Sequence, residues 1–403
     1  MKLLRNRNFV VYWTGSTMVQ MGLQFSTIAL TWFVLQTTGS AARIGVVLAL
    51  FPISRMVTSP FIGYVLDRLP RRALMVTDNL CQAILYLFIP ILAWTHTLSF
   101  GTLLVIVGLA GALSPLSMIG RGVILPNIVA IDELELANGF SQLRMSLVSL
   151  LGPALGGVLV AFFGAPMTLL ITAGCYGLYV GSLLLIPSSR YRSADASDAG
   201  GNDAESKLNG LQFLFRVPLL VLLIVITLFF NLTYGPLEPA LPVLVSREFH
   251  TGASVLGLIW SSFAVGSLLG TMLWSRFRPQ WSLRLSISGI ILCWGAFSGG
   301  VGISGHPWQA MLMMFLGGVT FAPYNILAAT MQQKLIPDRH RGKVYGVMQS
   351  ITSVGLPIGQ MAGGFLVKGI GAGSTILVGG IATVMLGIVV ASLRRAWRTA
   401  ARV

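Results

Sequence analysis

Charge is scarce in this chain: Asp, Glu, Lys and Arg together make up 10% of its 403 residues, against roughly a quarter in an ordinary soluble domain. Acid is scarcer still, with 12 Asp and Glu against 27 Lys and Arg. With a mean hydropathy of +0.80, a water-soluble globule is excluded. Cysteine is nearly absent. Cys81, Cys175 and Cys293 sit inside apolar runs, where a thiol behaves as a small hydrophobe, so neither a disulfide framework nor a zinc cluster is expected. His96, His250, His306 and His340 fall between apolar runs without ligand spacing, so no metal site is expected. A phosphate-binding loop is missing too: Gly342-Lys343 is followed by Val344 and lacks the upstream glycine, which argues against direct ATP hydrolysis. Neither paired carboxylates nor a nucleophile elbow occurs in an apolar run. An enzyme is therefore not expected, and no cofactor is called for.

What the chain has in quantity is long apolar runs. A bilayer span takes about 20 apolar residues, and the runs between polar breaks cover Phe9 to Thr37, Ile44 to Leu66, Ala73 to Thr95, Gly101 to Val129, Ala137 to Phe163 and Pro166 to Pro187. Six more follow at Pro218 to Val245, Val255 to Trp274, Leu283 to Ile303, Trp308 to Leu335, Gly342 to Val367 and Ser374 to Leu393. Twelve spans leave no length for a catalytic domain outside the membrane. The stretch SADASDAGGNDAESK lies in the longest polar connection and reads as a flexible linker. The expected organisation is an N-terminal six-helix bundle over 1–187, a cytoplasmic linker over 188–216 and a C-terminal six-helix bundle over 217–403.

The net charge of +15 has the size of a nucleic-acid binder's, but its distribution assigns topology instead. Of the 27 basic residues, 21 fall in one alternating set of connections and termini. Three (Arg43, Arg247, Lys368) fall in the other, and three (Arg55, Arg121, Arg144) lie within runs. Basic connections are retained in the cytoplasm, which places both termini and the linker there, in a multi-pass protein of a bacterial inner membrane. No nucleic-acid partner is expected.

Sliding the chain along itself by 207 residues aligns GGVLVAFFGAPMTLLI (Gly156 to Ile171) with GGFLVKGIGAGSTILV (Gly363 to Val378), with eight identities in sixteen positions. The same offset pairs Gly63, Leu66 and Arg71 with Gly270, Leu273 and Arg278. A parallel repeat of six spans follows.

Two short patterns carry chemistry. Gly63-Tyr-Val-Leu-Asp67-Arg68-Leu-Pro-Arg71-Arg72 places an acid and three arginines where a span meets the cytoplasm, suited to ion pairs that form in one arrangement and break in another. Gly152-Pro153-Ala-Leu-Gly156-Gly157 lets neighbouring backbones approach closely. The first resembles the cytoplasmic-loop motif of the major facilitator superfamily, the second its antiporter motif. Arg121-Gly-Val-Ile-Leu-Pro126, Ala137-Asn138-Gly139 and Arg341-Gly342-Lys343-Val344 are similar to the superfamily's bacterial exporters of macrolides, drugs and siderophores. The resemblance covers essentially the whole chain. It implies an all-α membrane protein of twelve transmembrane helices in two parallel six-helix repeats, working by alternating access and proton antiport.

Two departures stand out. Trp274 occupies the second-repeat position of Asp67, and Leu23 stands where relatives of this branch often carry an acid after the glycine of the first span.

Enumerating the acids leaves Asp78 and Glu238 inside spans. Glu238 lies among Pro236, Pro239 and Pro242 and reads either as a proton carrier or as a carboxylate at a broken helix end. Asp78 reads as a proton site or as a structural partner of Arg121 or Arg144. Arg55, at a span centre, must face protein or a water-filled cavity, because a lipid-facing Arg there costs ~2.5 to 3.5 kcal/mol. It holds either an anionic substrate group or a structural partner. Arg144 and Arg121 join Gly63, Asp67, Arg68, Arg71 and Arg72 as candidates for an inner gate. Gln20 and Gln24, spaced i, i+4, line a cavity or bind helices together. Among Trp13, Trp32, Trp260 and Trp294, Trp260 with Phe263 is the candidate for stacking on a substrate.

The expectation is a proton-coupled exporter of hydrophobic or amphiphilic small molecules, working as a monomer in the lipid bilayer. The alternatives are a siderophore or other metabolite exporter, a lipid transporter, and a non-transporting receptor or scaffold.

Overall fold

The computed structural model describes residues 3–66, 71–116, 124–125, 127–130, 133–187, 212–277, 281–336, 338–393 and 397. Among them there is helix and no strand, and a helix satisfies its backbone hydrogen bonds within its own segment, one of the two ways a chain can cross a bilayer.

The helices are α1 (Arg7–Thr38), α2 (Ala41–Leu66), α3 (Arg71–Trp94) and α4 (Phe100–Leu113). Leu134–Leu185 is one run broken at Gly164, giving α5 (134–163) and α6 (165–185). Next come α7 (Pro218–Glu248), α8 (Ala253–Phe277), α9 (Leu283–Gly302), α10 (Pro307–Leu335), α11 (Val344–Ile370) and α12 (Ala372–Ser392). The twelve expected helices are present. Within the fourth expected run, Gly101 to Val129, the described helix ends at Leu113.

Helix starts follow local chemistry. The Asn6 side chain accepts from the backbone N–H groups of Asn8 and Phe9, Ser99 caps α4 through Thr102, and Ser282 caps α9 through Leu285. Each satisfies donors that the first helical turn leaves open.

The repeat read from the sequence reappears in the backbone. Gly164 joins α5 to α6 at φ 80°, ψ 163°, and Gly371, 207 residues later, joins α11 to α12 at φ 85°, ψ 168°. Only glycine adopts that conformation without strain. A second echo lies at the helix ends. From the start of α3, Arg72 donates to the carbonyls of Leu183 (3.3 Å) and Leu184 (2.6 Å) at the end of α6. From the start of α9, Arg284 donates to Ala391 at the end of α12 (2.9 Å). In both repeats an arginine neutralises the negative end of the last helix.

The chain forms two compact units. The first comprises Met1–Gly39, Leu50–Ala196 and Gly252–Ser261, and the second Ser40–Ala49, Ser197–Thr251 and Ser262–Val403. Glycine governs the contacts within each. A Cβ at Gly157 would lie 2.5 Å from the Ala253 carbonyl oxygen, and one at Gly364 would lie 2.6 Å from that of Ala41. These close approaches group residues 252–261 with the first unit and 40–49 with the second.

Large apolar side chains on the outer faces are exposed, including Phe162, Leu178 and Met272, as lipid-facing positions should be. Trp94, Trp281 and Trp308 stand exposed at helix ends, where indoles anchor at the membrane interface.

Candidate functional site

The first unit encloses a cavity of about 90 Å³ lined by Gln20, Arg55, Asp78, Asn79, Gln82 and Tyr176, with apolar walls from Val19, Leu23 and Phe51. At ~30 Å³ per molecule, this space holds about three waters. Helix geometry brings the polar groups together: Gln20 comes from α1, Arg55 from α2, and Asp78, Asn79 and Gln82 from successive turns of α3. Asp78, Asn79 and Gln82 are each 2% exposed. Gln82 donates its amide to the Ala110 carbonyl (2.7 Å), and its Oε1 has no hydrogen-bond partner among the described residues. The Tyr86 and Tyr176 rings stack at 5.5 Å beside this region. A polar cavity of this size has room to hydrate a carboxylate and a guanidinium, the setting in which ionisable groups are tolerated within a membrane.

The sequence candidates divide here. Gln20, Arg55 and Asp78 share the cavity. Gln24 packs instead against the glycine run of α5, where a Cβ at Gly152 would lie 2.7 Å from Gln24 Cγ. Gly156 packs on Phe25, Gly157 on Ala253 and Gly257, and Gly257 on the Pro153 carbonyl. The antiporter-like run is thus a helix-packing surface. Arg144, an expected partner of Asp78, is buried and hydrogen-bonds to Ser16 Oγ. Arg72 caps α6 as described, Gly63 lies in α2 and Arg71 begins α3. Asp67, Arg68 and Arg121 lie outside the described residues.

The second unit holds the other membrane carboxylate. Three prolines break α7 into Pro218–Tyr234, Leu237–Val243 and a π-helical turn, Leu244–Glu248. Glu238 sits just past the first break, where the helix can no longer bury it in a regular ladder. Gln360 of α11 donates to Glu238 Oε2 at 2.6 Å, and Tyr234 stands one helical turn before the acid. Gln360 is 3% exposed, and a Cβ at neighbouring Gly359 would lie 2.9 Å from Gly235 Cα. Glycine therefore lets α11 approach α7 closely enough for the amide to reach the acid. Charge-assisted hydrogen bonds of this length are among the stronger polar contacts in proteins.

Beside Glu238 lies a group of rings of which the sequence reading named Trp294 and Phe263. Trp294 of α9 is 5.3 Å from Phe263, 5.5 Å from Phe321 and 5.9 Å from Tyr234 between centroids. Phe321 continues to Phe230 (5.9 Å) and Tyr324 (6.4 Å), and the Tyr324 hydroxyl is 2.6 Å from that of Thr227. Trp260, one turn before Phe263, is half-buried. No group of three or more His, Cys, Asp or Glu arranged for a metal ion occurs among the described residues.

Comparison with known proteins covers nearly the whole chain. The family profile described as "transmembrane secretion effector" matches residues 2–401. The "multidrug efflux pump Tap" of Mycolicibacterium fortuitum is 26% identical over 93% of this chain and 92% of its own. An "uncharacterized MFS-type transporter", YfiS of Bacillus subtilis, is 25% identical over 89% of this chain and 86% of its own. Among solved structures, a mutant form of the nucleoside transporter NupG superposes with a TM-score of 0.78 at 15% identity, over 96% of this chain and all of that one. A bacterial homologue of the iron transporter ferroportin superposes with a TM-score of 0.74 at 17% identity, over 96% and 98%. The chain is a multi-pass membrane transporter of the major facilitator superfamily, in the transmembrane secretion effector family.

Proposed function

We propose that this transporter exports hydrophobic or amphiphilic small molecules by proton antiport, with Glu238 as the first proton carrier and Asp78 as the second candidate. The observation that carries the reading is Glu238 at the proline break of α7, held by Gln360 of α11. A group that moves protons must change its proton affinity between conformations. Hydrogen bonds contributed by a different helix provide the means, because they are made or lost when that helix moves. The relation to a multidrug efflux pump over nine-tenths of both chains supports drug-like substrates. The protein works as a monomer in the bacterial inner membrane with both termini and the linker in the cytoplasm, and its partners are protons, the small-molecule substrate and lipid, not nucleic acid. It carries out no covalent chemistry and takes no cofactor.

A second reading, export of a siderophore or other acidic metabolite, draws on Arg55 in the cavity of the first unit. Proteoliposomes loaded with a candidate substrate separate the readings from a non-transporting receptor. Flux that rises with an imposed pH gradient and falls when a protonophore collapses it supports antiport. Flux indifferent to the gradient rejects it.

A further inference from the structure

Two ionisable side chains of opposite sign line the cavity of the first unit, Arg55 from α2 and Asp78 from α3. Among the described residues no ion pair joins the two, so the guanidinium is available to a ligand. Asp78 and Gln82 are each 2% exposed, and their i, i+4 spacing puts them on one face of α3. Gln82 donates its amide N–H to the Ala110 carbonyl, a group that can only accept. That bond fixes which end of the amide is Oε1, and this acceptor has no partner among the described residues. The α3 face therefore offers acceptors to the cavity, α2 offers a cationic donor, and Val19, Leu23 and Phe51 form apolar walls.

That layout has a definite chemical complement. A lone cation meets Arg55 and a lone anion meets Asp78, and like charges repel strongly where water is scarce. A ligand carrying both charges satisfies both ends: its carboxylate takes the planar fork of Arg55, and its ammonium donates to Asp78 and to the open Gln82 oxygen. Size narrows the class further. Pockets for drug-sized molecules run ~300 to 1,000 Å³, and this one is about 90 Å³, so it takes a compact body. We infer that the first unit binds a small zwitterion of the amino-acid type, glycine to alanine in size, with its aliphatic part against the apolar walls. The site uses no residue of the second unit and does not depend on proton antiport. It differs from the acidic-metabolite reading in requiring an ammonium as well as a carboxylate.

The test measures equilibrium binding without any gradient. Purified protein in lipid nanodiscs is incubated with tritiated alanine and read by scintillation proximity, with empty discs as background. Unlabelled propionate, which lacks the ammonium, and ethylamine, which lacks the carboxylate, serve as competitors. The wild type should bind alanine saturably, and each competitor should be at least tenfold weaker than unlabelled alanine. Arg55→Gln should weaken alanine at least tenfold and remove its advantage over ethylamine. Asp78→Asn should weaken it as much and remove its advantage over propionate. Gln82→Met, expected to weaken alanine about threefold, stands in if either variant fails to fold. Absence of saturable alanine binding overturns the site and leaves the cavity to water. Propionate or ethylamine competing as well as alanine overturns it in favour of a simple anion or cation site, and alanine binding that survives all three substitutions places the ligand elsewhere and overturns it too. Alanine binding without pH-driven flux would reject antiport and leave this site intact, and pH-driven flux without alanine binding would do the reverse.

Discussion

Gln360 donates its side-chain amide to Glu238 across 2.6 Å, and the residues at the matching positions of the first repeat cannot form such a pair. Shifted by 207 residues, Gln360 falls on Pro153 and Glu238 on Thr31. Thr31 hydrogen-bonds within its own helix, to the Thr27 and Ile28 carbonyls. The reverse holds for the other site, since Arg55 and Asp78 fall on Ser262 and Leu285. The repeats therefore share glycine packing and arginine caps while each carries its own ionisable groups.

Replacing Gln360 by Met keeps the side-chain length and removes the donor. Losing a hydrogen bond to a charged group costs about 1.5 to 3 kcal/mol. Gln360→Met should lower gradient-driven export at least tenfold, read in vesicles at matched protein abundance. Wild-type export by this variant would remove Gln360 from the account.

The close approach of α11 to α7 predicts a graded response to added methyl groups. A Cβ at Gly359 meets the Leu232 carbonyl and Gly235, and overpacking of this kind costs about 1 to 3 kcal/mol. Gly359→Ala should lower the thermal midpoint by several degrees. Gly346→Ala, where nothing lies within 4 Å, should leave it unmoved. Scanning fluorimetry of both variants in one detergent decides it.

If Arg55 receives an anionic group in its cavity, Arg55→Gln should weaken transport of acidic compounds about tenfold or more and that of neutral or cationic compounds less than threefold. Equal losses across ligand charge would make Arg55 structural.

Much of this architecture is legible in the sequence because membranes impose simple rules. Run length gave the helices, and the aligned stretches that pointed to a repeat contain Gly164 and Gly371, which share a positive φ. Glu238 was legible as one of two acids within spans. Its partners were not, because Gln360 lies 122 residues away and nothing local marks an amide as facing an acid. The ring group escaped for the same reason. Phe321 and Tyr324 look like ordinary apolar residues until the helices converge, and only Trp294, as one of four tryptophans weighed for stacking, and Phe263 hinted at it. Gln20 and Gln24, spaced i, i+4, left cavity lining and helix binding both open, and the structure divides them: Gln20 lines the cavity and Gln24 packs on Gly152.

Topology follows from the basic residues and is tested independently of transport. In a cysteine-free background, Ser197→Cys in the linker should react with an impermeant maleimide only after the cytoplasmic face is opened. Labelling of intact cells would reverse the orientation.

The central claim is that a proton on Glu238 couples the pH gradient to export, and one comparison tests it most directly: accumulation of a neutral amphiphilic substrate in acid-interior inverted vesicles by wild type and Glu238→Gln, alongside exchange of that substrate down its own gradient. The account predicts that Glu238→Gln loses gradient-driven accumulation at least tenfold while exchange falls less than threefold, because a glutamine cannot take up and release the proton. Normal accumulation by Glu238→Gln, together with its loss in a folded Asp78→Asn variant, would contradict the account and move the proton to the cavity of the first unit.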